Sequence, residues 1–120
     1  MTRIESLKDL LAKVGDGVEL FEVQVVARSM ASKARDDGQT FDWLLIAQAY
    51  QGSLDAAKAL HEVFFDGWNV GIMNRVDTGG WQVLIYPVGP KIYDWCCAET
   101  PARAWLAAIL KALIAQEEAA

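Results

Sequence analysis

The sequence contains few of the residues from which disulfide frameworks and metal sites are built. It has two cysteines and one histidine among 120 residues, and the cysteines, Cys96 and Cys97, are adjacent. A disulfide between neighbouring residues is strained, and two cysteines supply no zinc-ligand pattern. We therefore expect free thiols in a reducing cytoplasm, and no bound metal ion.

Positive charge is also scarce. Lys and Arg number 11 against 16 Asp and Glu, so the formal net charge is -5. Binding to duplex nucleic acid requires many cations that neutralise phosphates, and this balance argues against it.

Long apolar runs are missing as well. The longest, 104–110, is too short to span a bilayer, and residues 1–8 lack the apolar run of a signal peptide. We expect an intracellular protein that does not enter a membrane.

Hydrophobic and aromatic residues, by contrast, are abundant. The hydrophobic fraction is 53%, with five Trp, four Phe and three Tyr. This composition readily supplies a packed core, and a chain of this length has room for one domain, which we assign to residues 1–120.

The first half of the chain is predicted to be mostly helical. Thr2-x-x-Glu5 has the form of a capping box, and the helix that it begins is predicted to end at Gly15. Asp16-x-x-Glu19 repeats the signal before a second helix, over 18–34, where β-branched valines leave a strand as the alternative. The remaining segments are a surface loop, predicted over 36–39, and a segment that fits either a strand or a helix, over 40–50.

The second half is predicted to combine a small sheet with two further helices. Ser53 is a good N-cap for a helix over 54–65. After Gly67 the apolar period changes to two, which predicts strands. The first strand begins at 68, the second returns over 81–86 after a turn at 77–80, and a third covers 92–98. Thr100-Pro101 begins the last helix, which runs to about Glu118. The fold class is therefore α+β: a small antiparallel β-sheet of about three or more strands packed with several α-helices, in a sandwich-like α-β-α arrangement.

The last helix is unusually apolar. Large apolar side chains cover about half of its circumference and alanines fill most of the rest, which is more than one sheet face can bury. We expect this helix also to contact another helix or a second subunit, and the protein to form a homodimer or a higher homo-oligomer.

The start of this helix is the first candidate binding site. Thr100 caps it, and Arg103 lies in its first turn, where unpaired N–H groups and the positive end of the helix dipole favour anions. An arginine at that position can bind a phosphate or a carboxylate. The alternative is a structural arginine, either paired with Glu99 or lying along apolar surface with its head in water.

Aromatic residues of the predicted sheet form the second candidate. Trp81 is predicted to be core, with the apolar residues of its strand face. Tyr86 has the opposite parity, and Tyr93 and Trp95 share one face of the third strand. Exposed rings of this kind can stack on nucleobases, although they are more often core or interface residues.

Catalytic machinery is not evident. His61 lies on the apolar face of the helix over 54–65, without a nucleophile motif or companion metal ligands. We interpret it as a neutral core histidine with one hydrogen bond. The chain has no phosphate-binding P-loop and no dinucleotide fingerprint. We therefore expect no enzyme activity, no catalytic residue and no cofactor.

Three motifs of the chain resemble those of a known family. Tyr50-x-x-Ser53-Leu-Asp-Ala-Ala, Gly67-Trp68 and Thr100-Pro-Ala-Arg103 occur in order, and the chain over about 50–118 is similar to the phage ABA-sandwich domain family. The resemblance implies a small sheet with helices packed around it, and an origin in a phage or prophage. Proteins of this general type include anti-defence sponges, which sequester the cyclic nucleotide signals of bacterial immune systems such as Thoeris and CBASS.

This resemblance predicts a non-enzymatic protein of the host bacterial cytoplasm that captures a cyclic nucleotide. Nanomolar capture requires about 12 kcal/mol net, so several charge-assisted hydrogen bonds and stacking rings must converge in a pocket, most simply between two subunits. The residues expected to supply these contacts are Arg75, Lys91, Arg103, Thr100, Tyr86, Tyr93 and Trp95. The alternative is a small phage protein that inhibits a host protein through an exposed aromatic patch.

Overall fold

The α+β class is confirmed by a computed structural model that describes residues 2–37, 42–77, 79–89 and 94–119, with the backbone alone over 32–37. The predictions made for Gly38, Gln39, Thr40, Phe41, Thr78, Lys91, Ile92 and Tyr93 lie outside the described residues. The helices within them are α1 (Arg3–Asp16), α2 (Leu20–Asp37), α3 (Trp43–Tyr50), α4 (Leu54–Phe65) and α5 (Pro101–Ala119). The strands are β1 (Asn69–Asn74), β2 (Trp81–Tyr86) and β3 (Cys96–Ala98).

Helix α5 lies at the centre of the molecule. Every residue from Ala104 to Leu110 is buried, so the helix is enclosed around its whole circumference. It contacts β2 and β3 of the sheet and the helices α1, α3 and α4. The excess of apolar surface on the last helix is therefore covered by other helices of the same chain, and this surface requires no second subunit.

The sheet is antiparallel throughout, in the order β1-β2-β3. Val83 and Ile85 of β2 are buried against α5, whereas Trp81 at the start of the same face is only half-buried. The register pairs Asn74 with Trp81, and Trp81 in turn with Ala98. Strand β2 begins and ends as predicted, but the described part of the third strand covers only 96–98 of the predicted 92–98.

The first two helices differ in their ends from the prediction. Thr2 caps α1 through a hydrogen bond from the Glu5 N–H to its hydroxyl (3.2 Å), as the capping box indicates. The helix continues through Gly15 and ends at Gly17, whose φ of 67° favours glycine. Asp16 is therefore the last residue of α1 and not the cap of α2, which begins at Leu20. The predicted end at Gly15 and cap at Asp16 are both wrong.

Helix α2 resolves the competition between helix and strand in its valine-rich segment. Val23, Ala27 and Met30 are buried at helical spacing, while Val25 is exposed. A buried stripe with this period outweighs the strand preference of β-branched residues. The helix extends to Asp37, so the predicted loop at 36–39 is wrong for Asp36 and Asp37.

The segment left open between strand and helix, 40–50, contains helix α3. The Asp42 carboxylate accepts hydrogen bonds from the N–H groups of Leu44 (3.0 Å) and Leu45 (3.2 Å), which supplies the missing N-terminal cap. Ile46 and Tyr50 are buried on one face. The next helix, α4, covers 54–65 with Ser53 as its cap, as predicted.

His61 is a core residue, as predicted, but it makes two hydrogen bonds rather than one. The Trp105 indole N–H donates to Nδ1 (3.2 Å), so Nε2 carries the hydrogen and donates to the Trp68 carbonyl (2.9 Å). The ring also packs edge-on against the Trp105 indole. This neutral tautomer joins α4 to α5 and to the start of the sheet.

Replacing His61 with phenylalanine is expected to destabilise the protein without affecting the surface. H61F keeps an aromatic ring but leaves the buried Trp105 N–H without an acceptor, which we expect to lower the free energy of unfolding by about 2–3 kcal/mol. Urea denaturation measures this change. E62Q, at the exposed neighbouring position, is the matched control and should unfold like the wild type. An H61F protein of unchanged stability would show that these hydrogen bonds contribute nothing.

Candidate functional site

A cleft lies where the end of α1, the connection between β1 and β2, and the junction of β3 with α5 come together. Its volume is about 430 Å³, which is within the range of small-molecule sites. The residues that line it are Val14, Gly15, Asp16, Gly17, Arg75, Gly79, Gly80, Trp81, Cys97, Ala98, Glu99 and Arg103. Two arginines that are distant in sequence thus share one concavity.

Arg103 is held in place by Tyr50. Its Nε and Nη2 groups donate to the Tyr50 carbonyl, at 3.1 and 3.0 Å, and its guanidinium lies 3.9 Å from the centre of the Tyr50 ring. The Tyr50 hydroxyl donates to the Val18 carbonyl, which ties the ring to the start of α2. The edge of the guanidinium formed by Nε and Nη2 is therefore used in hydrogen bonds within the protein. The orientation of the Arg103 side chain is fixed before any ligand binds.

The remaining Arg103 nitrogen, Nη1, lies at the cleft. It is 3.7 Å from a Glu99 carboxylate oxygen, and a Cβ built on Gly17 would lie 3.8 Å from it. The interpretation of Arg103 as a partner of Glu99 is thus confirmed. The Arg103 side chain is 18% exposed, but that of Glu99 is 88% exposed. Because the Glu99 carboxylate is exposed and lies at the long end of ion-pair distance, the pair is weak, and an incoming anion can displace this carboxylate.

Arg75 reaches the cleft from the end of β1. Its backbone N–H donates to the Gly80 carbonyl (2.9 Å), which fixes the start of the hairpin connection. Its Nη1 donates to the Cys97 sulfur at 3.3 Å, and a thiol is a weak acceptor. No carboxylate in the described part of the chain lies within ion-pair distance of Arg75. Its charge is therefore less neutralised than that of Arg103.

The other lining groups give the cleft a mixed character. Trp81, half-buried at the start of β2, also lines the cleft, and glycines at the end of α1 and in the hairpin leave backbone open to the cavity. Asp16 and Glu99 add carboxylates to the rim. The cleft can therefore bind an anion, pack a flat ring and accept hydrogen bonds from amino or hydroxyl groups.

The structure brings together only part of the predicted set of binding residues. Arg75 and Arg103 line the cleft, while Thr100 contributes indirectly: its hydroxyl accepts the Arg103 N–H (3.1 Å) and caps α5. Tyr86 lies at the far end of β2 from Trp81, about 17 Å away at 3.3 Å per residue. Trp95 packs over Gly71 on the sheet face away from α5. Neither of these rings lines the cleft.

Sequence reasoning missed the contributions of α1 and of Trp81. Gly15 is predicted only to end a helix, no role is predicted for Gly17, and Trp81 is predicted to be core from its parity. Its position at the start of β2, beside the paired glycines at 79–80, was the available signal that it lies at the end of the sheet and not in the core. No sequence pattern around Trp81 indicates that the end of α1 lies next to this residue.

The two thiols differ in their surroundings. Cys97 is exposed and contacts Arg75, whereas Cys96 faces the core and is half-buried. Burial raises the pKa of the Cys96 thiol above its ordinary value, and Lys111 only partly offsets this effect. A raised pKa means that less thiolate is present at a given pH.

Alkylation should therefore distinguish the two cysteines. We expect iodoacetamide to label Cys97 several-fold faster than Cys96 at pH 8, because Cys97 is exposed and burial suppresses the Cys96 thiolate. Single variants isolate each thiol: C96S reports on Cys97 and C97S on Cys96, with mass spectrometry as the readout. The Cys96 rate should still be rising above pH 9. Equal rates, or a Cys96 rate that levels off below pH 9, would contradict this assignment.

A comparison with known protein families, curated proteins and solved structures finds no match. Within residues 2–37, 42–77, 79–89 and 94–119, no group of three or more His, Cys, Asp or Glu side chains is placed to hold a metal ion. None of the helices described there combines the length and apolar character that crossing a bilayer requires. These comparisons therefore assign no function to the cleft.

Proposed function

We propose that this protein binds a small phosphate-bearing nucleotide in the cleft and sequesters it without converting it. The observation that carries the proposal is that Arg75 and Arg103 line the same concavity beside Trp81. The resemblance to the phage ABA-sandwich domain family supplies the ligand class, a cyclic nucleotide immune signal. It also supplies the setting, a phage anti-defence protein in the host bacterial cytoplasm.

Each part of such a ligand has a counterpart in the cleft. A phosphate accepts hydrogen bonds from Arg103 Nη1 and from Arg75, and the Trp81 indole offers a surface on which a base can stack. The Asp16 carboxylate can accept from a base amino group or a sugar hydroxyl, while the Glu99 carboxylate competes with the phosphate for Arg103. These two acids, with a net charge of -5 for the chain, disfavour ligands with long runs of phosphates. A ligand with one or two phosphate groups best suits the two arginines and two carboxylates of the cleft.

The chemistry of the cleft favours binding over turnover. His61, the one histidine of the sequence, is in the core and uses both ring nitrogens in hydrogen bonds. Cys97 lines the cleft, but its described neighbours there include no histidine that could act as its base. Arginine, tryptophan and backbone groups bind ligands without supplying a nucleophile.

The expected affinity follows from the number of contacts. Two charge-assisted interactions contribute about 1.5–3 kcal/mol each, and one stacked base about 1–3 kcal/mol. The sum falls short of the ~12 kcal/mol of a nanomolar complex, so the cleft of one chain should bind in the micromolar range or weaker. Sequestration at that affinity requires a protein concentration above both the Kd and the concentration of the signal.

A thermal-shift screen tests the proposal. The ligands are cyclic dinucleotides, cyclic trinucleotides and cyclic ADP-ribose isomers, each at concentrations up to the millimolar range. A ligand at one hundred times its Kd stabilises the fold by about 2.7 kcal/mol, which raises the melting temperature of a domain of this size by about 10 °C. R75A should retain the wild-type melting temperature and lose the response. E99Q should bind more tightly than the wild type, because it removes the carboxylate that competes for Arg103.

The control is R28A, which also removes one arginine. Arg28 lies over the Trp43 ring, outside the cleft, so R28A should respond to ligand like the wild type. Equal loss of response in R28A and R75A would assign the binding to net charge rather than to the cleft. If no cyclic nucleotide shifts the wild type, the nucleotide proposal is wrong and the protein-binding alternative takes its place. Chromatography of the recovered ligand distinguishes capture from conversion.

A further inference from the structure

Within the described part of the chain, strand β1 pairs with β2 alone and forms an edge of the sheet without the usual protection. It is six residues long, whereas the opposite edge, β3, has three. Edge strands of natural proteins are commonly guarded by lysine, proline, a bulge or a covering loop. The β1 sequence Asn-Val-Gly-Ile-Met-Asn contains no charged residue and no proline, and its register with β2 is regular from Asn69 to Asn74.

The face of β1 that points toward the helices is also uncovered. Val70 and Ile72 share parity with the buried residues of β2, because they pair with Ile85 and Val83. They are nevertheless 38% and 43% exposed. The reason is that α5 packs beneath β2 and β3 and leaves β1 beyond its side. One strand therefore presents both a free backbone edge and apolar side chains.

The backbone direction along this edge follows from the hairpin. The Arg75 N–H donates to the Gly80 carbonyl, so Arg75 is a residue whose backbone groups face β2. In an antiparallel ladder such residues alternate, which makes Asn69, Gly71 and Met73 face β2 as well. The N–H and C=O groups of Val70, Ile72 and Asn74 accordingly point outward at the free edge.

We infer that β1 pairs with β1 of a second copy of this chain, antiparallel and centred on Ile72. In this register Ile72 of one copy lies opposite Ile72 of the other, and Val70 lies opposite Asn74. Each of these outward-facing residues then donates one backbone hydrogen bond and accepts another. Shifting the centre by one residue, to Gly71 or Met73, or by two, to Val70 or Asn74, leaves part of the outward-facing groups without a β1 partner. The strand is therefore complementary to itself in one register.

The side chains of this register also match. On the side toward the helices, the two Ile72 side chains meet across the axis and cover surface that is exposed in one chain. On the other side, Met73 of one copy lies opposite Gly71 of the other, where the Trp95 ring already packs over the glycine. A methionine sulfur beside an indole is a favourable contact. The two-fold axis runs through the sheet, so both copies keep their helices on the same side.

A second copy suits this edge better than a charged peptide. The chain has a net charge of -5, which opposes association through most of its surface, but β1 brings no charged side chain to the contact. The contact is also small. A single pair of strands lies at the low end of the area of specific interfaces, so we expect a reversible dimer with a dissociation constant in the micromolar range. The inference does not depend on the proposed function of the cleft.

Sedimentation velocity of the whole chain from about 1 µM to 1 mM tests the pairing. The wild type should pass from monomer to dimer over this range. I72K places two lysines opposite each other at about 5.5 Å between Cα atoms and should weaken the dimer at least tenfold. V76K is the control: it adds the same charge to the same hairpin, at a side chain that is 92% exposed and outside the paired register. It should dimerise like the wild type. A wild type that stays monomeric at 1 mM, or an I72K dimer as strong as the wild type, would overturn the inference.

Disulfide trapping tests the register in a protein whose fold is not perturbed by charge. In a C96S/C97S background, I72C should form a disulfide-linked dimer under mild oxidation, because the residue on the axis lies opposite its own copy within bridging distance. M73C should not, since the two Met73 Cα atoms would be about 8 Å apart in this register. Equal trapping of the two variants, or trapping of M73C alone, would contradict the register. The near-ultraviolet circular dichroism spectrum of each variant reports that the fold is retained.

Discussion

Helix α5 carries apolar side chains around its whole circumference, and the exclusion of water from every side of it shapes the rest of the molecule. Ala104, Trp105 and Leu106 already point in three different directions and are all buried. A single sheet face can cover only one of these directions, so α1, α3 and α4 cover the others. Each large apolar side chain buried in this way contributes about 1.5–3 kcal/mol. The alanines between them allow the surrounding elements to approach closely.

The position of the cleft follows from this enclosure. The start of α5 emerges from the core between β3 and the end of α1, so its first turn lies at the boundary of three elements. Arg103 occupies that turn and is fastened to Tyr50, while Arg75 arrives from the hairpin on the other side. The same enclosure leaves β1 outside the footprint of α5. The cleft and the exposed β1 edge are thus two consequences of where α5 begins and of which strands it covers.

Elements with a strong local signal were predictable from the sequence. The helix capped by Ser53 and the strand over 81–86 have the predicted ends, because a cap and a period of two act over a few residues. Gly15 and Gly17 show the limit: both are glycines near a helix end, and only the left-handed backbone of Gly17 identifies the terminator. The cleft was only half predictable. Arg75 and Arg103 were identified by charge and position, but strand parity does not say which end of the sheet faces α1. The sequence therefore predicts Trp95 as a ring of the binding site, whereas the tryptophan that lines the cleft is Trp81.

The nuclear magnetic resonance signals of the five tryptophan indole N–H groups test the central claim most directly, because each indole reports on a different part of the molecule. When a cyclic nucleotide that stabilises the protein is titrated in, the Trp81 signal should move in a saturable manner. The Trp105 signal, held by His61 in the core, should remain in place, as should that of Trp95 on the far side of the sheet. A titration in which Trp95 moves and Trp81 does not would place the ligand on the outer sheet face and contradict the account.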